Sequence, residues 1–294
     1  MENNWILGNW INDWLQVYVL QQCAKNTYAC YFYAAKRLFK TFPALYHMPM
    51  MEIKARDLQQ IINSLESSCA KSSINHIRTV LSRAFQAAYA NGFQGLNPAN
   101  GLQLPRNAAE KTVYALTRQE EAKLYTYLPQ EYYGSAIELI LHTGLRRGEL
   151  AALKWQDYRN GWLTIRQSKT KSGIRAVPLI PEAIEIVNRQ WLHCHNSDYI
   201  FTSTLGTPIT STCWNKLMSR VRTATGIDHF SIHVLRHTFA TRAVEAKIDY
   251  KALATIIGHK DVRFTMQRYV TAEDEFLREQ IMLLSKAVSP DNKK

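Results

Sequence analysis

Between Gly92 and Val113 the chain drops the apolar rhythm that runs ahead of it. The stretch NGFQGLNPANGLQLPRNAAEK, residues 91–111, holds three Gly, two Pro and several Asn, too broken for a helix or a paired strand. One continuous core cannot pass through such a break, and 294 residues are enough for two domains. The division places a helical domain at 1–95, a linker at 96–113 and a second domain at 114–288, with SPDNKK at 289–294 as a disordered tail.

Ahead of the break, Trp5, Ile6, Trp10, Trp14 and Leu15 open a helical series. Tyr28, Tyr31, Ala35 and Leu38 carry a second helix, Leu58, Ile61, Ile62 and Leu65 a third, and Ile77, Leu81, Phe85 and Tyr89 a fourth. The Trp and Tyr stripe reads as core packing, with a base-stacking face as the rival. After the break, Thr117 followed by Glu120 forms a capping box that starts a new helix at RQEEAKLYTYL. GWLTIRQS and IRAVPLI alternate with period two around the polar KTKSG, which predicts an antiparallel hairpin. Helices are expected at 181–194, 210–225, 232–246, 249–258, 262–270 and 273–287. The fold class is mainly α with a small antiparallel β-sheet.

Charge narrows the partners. Thirty-six Lys and Arg stand against 24 Asp and Glu, a formal +12. Residues 1–105 hold nine basic and five acidic side chains and the remainder 27 and 19, so both parts are basic. A polyanion such as nucleic acid fits this balance, although a basic composition alone also suits a protein with no such partner. Five cysteines, an odd number with no CxxC pair, point away from disulfides and zinc ribbons and toward a reducing cytosol. HCH at 193–195 lacks a second ligand cluster, so no metal is expected. MENNWILGNW has neither the basic start nor the cleavage site of a signal peptide, and no apolar run is long enough to span a bilayer.

One short segment crowds titratable groups onto a helix that is otherwise entering a core. In HVLRHTFAT (233–241), His233 and Arg236 lie three apart and share a face, while Phe239 and Ala240 turn inward and His237 braces the same edge. Taken alone, HxxRH also suits a solvated helix start. Elsewhere LHTGLRRGEL sets Arg146 at a corner between two helices, GH at 258–259 ends a helix, and Tyr269 follows ten residues later. Together these positions offer two guanidinium groups, imidazoles and a phenol.

In these blocks the chain resembles the tyrosine recombinases, the phage integrase family of site-specific DNA recombinases. TGLRRGEL (143–150), QSKTKSGIRAVPL (167–179), HVLRHTFAT (233–241) and IIGHKDVRFTMQRYV (256–270) stand in that family's order. The helical half, with KSSINHIRTVLSRAFQAAYANG ahead of the linker, is more loosely similar to the family's core-binding domain. The resemblance implies a SAM-like helical core-binding domain and an α+β catalytic domain at 114–288 that ends in a helix at 273–287.

It also implies a mechanism whose residue types have a physical rationale. Attack on a phosphodiester builds charge on the non-bridging oxygens, which fixed cationic donors stabilise. Arg146 and Arg236 are the implied clamp, because a planar guanidinium holds two phosphoryl oxygens at once where lysine cannot. His233 and His259 would add hydrogen bonds, and no metal or other cofactor is called for. Tyr269 is the implied nucleophile, its phenol assisted by the surrounding cations, and the product is a 3′-phosphotyrosine ester with a free 5′ hydroxyl. Lys169 matches the family's position for protonating the departing oxygen, with Lys171 as its rival. Glu149 and His237 match family positions and are assigned to bracing Arg146 and the helix.

For the whole protein the resemblance implies double-stranded DNA carrying specific recombination sites as substrate, and a homo-tetramer in the synapse. The helix at 273–287, with Phe276, Ile281, Leu283 and Leu284 in a stripe, would dock on a neighbouring protomer or else pack on its own domain. Both basic halves would close on the duplex as a clamp in a cytoplasmic, nucleoid-associated protein with no membrane partner. Lys71, Ser73, Asn75 and Arg78 at the start of the fourth helix are candidate DNA contacts, or simply a solvated helix end. Arg263 and Phe264 replace the small hydroxyl residues common before Thr265. The chain begins directly at the core-binding helices, as in a two-domain type or one whose arm-binding domain has been removed. The competing functions are relaxation of DNA in the manner of a type IB topoisomerase and a non-catalytic DNA-binding relative. The filled catalytic positions argue against the second.

Overall fold

A computed structural model of the chain describes residues 5–110, 114–168, 171–194 and 196–258. Two compact units divide between residues 112 and 113.

The N-terminal unit is helical. α1 (Leu7–Trp14) runs through one π turn, Leu15–Val19, into Leu20–Gln22, and α2 (Lys25–Thr41), α3 (Ala55–Ser64) and α4 (Lys71–Ala90) follow. On α4 the residues Ile74, Ile77, Leu81, Ala84, Phe85 and Ala88 fall on one fully buried stripe, as their spacing requires. Each larger member of that stripe contributes roughly 1.5–3 kcal/mol by leaving water. The Trp10 indole donates to the Ala84 carbonyl at 2.7 Å, and Trp14 stacks on Tyr31 at 5.9 Å, so these aromatics belong to the core.

The segment from 96 to 110, within the stretch expected as a linker, packs on this unit. Ala99, Leu102 and Ala108 are buried in its core, and the Lys71 amide donates to the Ala109 carbonyl at 2.9 Å. Gly and Pro break its periodicity, but a few apolar side chains without any period are enough to pin a chain that turns this often.

In the second unit, α5 (Arg118–Tyr127) starts at the Thr117–Glu120 capping box: Thr117 N–H donates to the Glu120 carboxylate at 2.8 Å and Glu120 N–H to Thr117 Oγ1 at 3.2 Å. Then come α6 (Gly134–Thr143), α7 (Arg147–Ala152), a three-stranded sheet, α8 (Pro181–Cys194), α9 (Ser211–Thr225), α10 (Ile232–Glu245) and α11 (Tyr250–Ile257). α6 is apolar nearly all round because α8 and α10 both pack against it. Trp214, Phe230 and Leu235 complete the core beside it. The Arg220 guanidinium forks onto Glu131 at 2.6 and 2.8 Å, and the Tyr127 hydroxyl donates to the same carboxylate at 3.2 Å.

The sheet is β1 (Tyr158–Arg159), β2 (Trp162–Ile165) and β3 (Arg175–Pro178), all antiparallel, with Leu163 opposite Val177 and Ile165 opposite Arg175. β1 goes beyond the expected hairpin. It turns into β2 at Asn160 and Gly161, both at positive φ (50° and 76°), which suits Asn-Gly and the twist of a tight hairpin. The helices expected at 262–270 and 273–287, and the tail, lie outside the described residues.

Candidate active site

Four helices and one strand build the site in the second unit. α6 stops at Gly144, whose φ of 62° is left-handed; a side chain there would also meet the Phe239 ring. The backbone then delivers Arg146 in extended conformation as the residue that precedes α7. Glu149, one turn into α7, reaches back: its carboxylate accepts from the Arg146 amide at 3.0 Å and from Arg146 Nη1 at 2.6 Å. The capping interaction of a helix start thereby also fixes a guanidinium.

Arg236 comes from α10, which begins at Ser231, whose hydroxyl accepts from the Val234 amide. Its side chain is buried, and it donates from Nη1 to the Gly144 carbonyl at 2.6 Å and from Nη2 to the Ile257 carbonyl at 2.5 Å. Arg146 Nη2 donates to the next carbonyl along, Gly258, at 2.7 Å. A third arginine, Arg175 of β3, donates from Nε to the Ile256 carbonyl at 2.5 Å and holds both Glu149 oxygens at 3.1 Å. Three consecutive carbonyls at the end of α11 thus each take a donor from a different arginine. The last carbonyls of a helix have no partner within it and carry the negative end of its dipole, so a cation is what they attract.

Glu149 is the one carboxylate in this cluster among the described residues. Burial alone would push its carboxyl up, but the hydrogen bonds from Arg175 and Arg146 outweigh that and hold it below the usual carboxylate range. The hairpin reaches the same place. Ser168 Oγ lies 3.4 Å from Glu149, and Gly173 packs so tightly on Ser168 that no side chain would fit there. Three cations against one anion leave the cluster net positive, a setting for an anionic ligand.

Of the residues singled out from the sequence, Arg146, Glu149 and Arg236 are brought together. His233 is exposed on the first turn of α10, three residues before Arg236, and His237 is half-buried one residue after it. Lys169, His259 and Tyr269 lie outside the described residues, as does the side chain of Lys171. Lys71, Ser73, Asn75 and Arg78 sit in the first turns of α4 in the other unit. There Lys71 Nζ pairs with Glu110 at 2.6 Å, and Arg78 donates to the Leu102 carbonyl at 3.2 Å. Sequence reasoning missed Arg175. The signal was its phase: in IRAVPLI it keeps step with Val177, on the face that turns inward. Among the described residues no three His, Cys, Asp or Glu lie close enough to hold a metal ion.

Comparison with known proteins finds likenesses over most of the chain. The profile of the phage integrase family matches residues 115–275, more than half of the chain. A "tyrosine recombinase XerC-like" protein of Caldanaerobacter subterraneus is 26% identical over 90% of this chain and 78% of its own length. The lambda integrase tetramer bound to a Holliday junction superposes with a TM-score of 0.75 at 26% identity, covering 92% of this chain and 78% of that one. The Tn1549 transposon integrase in complex with a circular intermediate DNA gives a TM-score of 0.76 at 20% identity, covering 94% and 98%, a likeness of fold.

Proposed function

The chain belongs to the phage integrase family, and from that premise we propose how its own side chains carry out the reaction. It is a tyrosine-type site-specific recombinase, an enzyme that acts on DNA. Its substrate is duplex DNA bearing specific sites, and it integrates or excises a mobile element through a tetramer that passes through a Holliday junction.

Arg146 and Arg236 clamp the scissile phosphate. Arg236 is held by the Gly144 and Ile257 carbonyls and Arg146 by the Gly258 carbonyl and Glu149, bonds that fix the plane of each guanidinium and orient its fork for phosphoryl oxygens. His233 and His259 add hydrogen bonds to those oxygens. The phenolic oxygen of Tyr269 attacks phosphorus as its proton passes to solvent, and the 5′ oxygen departs with a proton from Lys169 (Lys171 is the alternative donor). The 3′-phosphotyrosine ester keeps the energy of the broken bond until a 5′ hydroxyl of the partner duplex attacks it. Glu149 holds Arg146, and His237 braces α10. No cofactor takes part.

The observation that supports this most is the meeting of Arg146 and Arg236, ninety positions apart, on the successive carbonyls of Ile257 and Gly258. His259 is the next residue in the sequence. The test is to sequence DNA that remains covalently attached to the protein, with Tyr269→Phe as control; an adduct that survives this substitution rejects the assignment.

The remaining parts of the proposal concern the assembly. The helical unit and the catalytic domain grip the duplex from two faces, with Lys71, Ser73, Asn75 and Arg78 contributing contacts once phosphate replaces Glu110 beside Lys71. The helix at 273–287 docks on a neighbouring protomer, so deleting 273–294 should abolish assembly on paired sites. The protein works in the cytoplasm on nucleoid DNA; no described helix is long and apolar enough to cross a membrane.

A further inference from the structure

We infer that Arg175 is a positioning residue for strand cleavage, fixing Glu149 and through it Arg146, while tying the hairpin turn to the end of α11. The inference rests on the recombinase function proposed above and adds a residue to it.

Arg175 stands opposite Ile165 in the β2–β3 pairing, so its side chain enters the fold, and only 4% of it is exposed. Nε donates to the Ile256 carbonyl at 2.5 Å, Nη1 to the Gly173 carbonyl at 2.8 Å and to Glu149 Oε1 at 3.1 Å, and Nη2 to Glu149 Oε2 at 3.1 Å. Those are two parallel bonds to a carboxylate and two to backbone, a pattern that fits a planar fork.

Each partner sets a group of the proposed machinery. Glu149 holds both the amide and the guanidinium of Arg146. Gly173 ends the turn at Lys171–Gly173, the segment that follows Lys169. Ile256 precedes the two residues whose carbonyls take Arg236 and Arg146. The fit is close: Gly258, at a φ of 67°, has no side chain, and a Cβ there would come within 3.0 Å of Arg175 Nη1 and 3.1 Å of the Ser172 carbonyl. Arg175 therefore joins strand, helix end and hairpin turn behind the site without itself facing a ligand.

Among the described residues, the charged and polar groups that bond to Glu149 are Arg146 ahead of its own helix, Arg175 of β3 and Ser168 of the hairpin. With Arg175 removed, its hydrogen bonds no longer offset burial, so the Glu149 carboxyl titrates at higher pH and lets go of Arg146 when it protonates.

The test compares wild type, Arg175→Met and Arg175→Lys on nicked duplexes selected by the wild-type protein from a random-sequence pool. It measures affinity, thermal melting and the single-turnover rate of covalent attachment. Both variants should bind nearly as tightly as wild type and attach about 100-fold more slowly, as a small misplacement of the clamp would dictate. Arg175→Met should fall further behind wild type measured at the same pH as pH drops from neutral toward the carboxylate range, so the ratio of the two rates isolates the Glu149 effect. Arg175→Lys should regain the melting temperature but not the rate, since one ammonium cannot serve Ile256, Gly173 and both Glu149 oxygens. Wild-type rates in either variant, or a parallel loss of melting temperature, affinity and rate in both, overturn the inference. If wild type itself attaches to no duplex, the recombinase assignment falls instead.

Discussion

The Nη1 of Arg236 and the carbonyl of Gly144 lie 2.6 Å apart, so the helix of HVLRHTFAT is fastened to the turn that presents Arg146. The same guanidinium also reaches the end of α11 through Ile257. Two helix C-termini with their dipoles converging on one buried cation would repel each other without it. The clamp is thus part of the packing that aims it.

Gly144→Ala should destabilise the second unit by about 2 kcal/mol or more, measured by denaturant unfolding. The position requires a left-handed backbone, and the new methyl would meet the Phe239 ring.

Arg236→Lys should leave DNA affinity largely intact and reduce covalent attachment roughly 100- to 1,000-fold in single-turnover assays. An ammonium keeps the charge but cannot bond two carbonyls and a phosphate from one plane.

Glu149→Gln should lower stability by about 3 kcal/mol at neutral pH, because it strips the counter-charge from a buried arginine. Attachment should fall with it, as Arg146 loses its orienting partner. Thermal melting alongside the attachment rate checks both.

Glu131 gives a pH signature away from the site. Hydrogen bonds from Arg220 hold its carboxyl below the usual range, against an opposing push from burial. A depressed folded pKa means stability that is present above the unfolded value, about 4.3, and disappears as pH falls through the folded one. Glu131→Gln should therefore melt earlier than wild type at neutral pH, and the gap should close below about pH 4.

DNA binding should weaken steeply with added salt, as counterions released from phosphate are forced back, and a logarithmic plot gives the number of phosphates contacted. A flat response would remove the two-faced grip from the proposal.

Much of this was legible in the sequence because it is written in local rules. The Thr117–Glu120 box, the α4 stripe and the β2–β3 alternation follow from spacing alone, and their positions agree with the structure. What escaped depended on distance or brevity. β1 has two residues, too few to alternate, and only its Asn-Gly turn announced it. Residues 96–110 lack any period, so their burial through Ala99, Leu102 and Ala108 shows only in three dimensions. Arg175 was hidden because a charged residue on an inward phase reads as noise until its partners, Glu149 and Ile256, arrive from elsewhere in the chain.

The run of carbonyls at Ile256, Ile257 and Gly258 also acts as a ruler. Successive residues of a helix are rotated by about 100°, so one residue inserted or deleted within α11 would swing every oxygen to a new bearing. All three guanidinium groups would then be offered the wrong acceptor together. The length of that short helix is therefore constrained along with its sequence, because a change of register would misplace all three acceptors where a single side-chain change need move none of them.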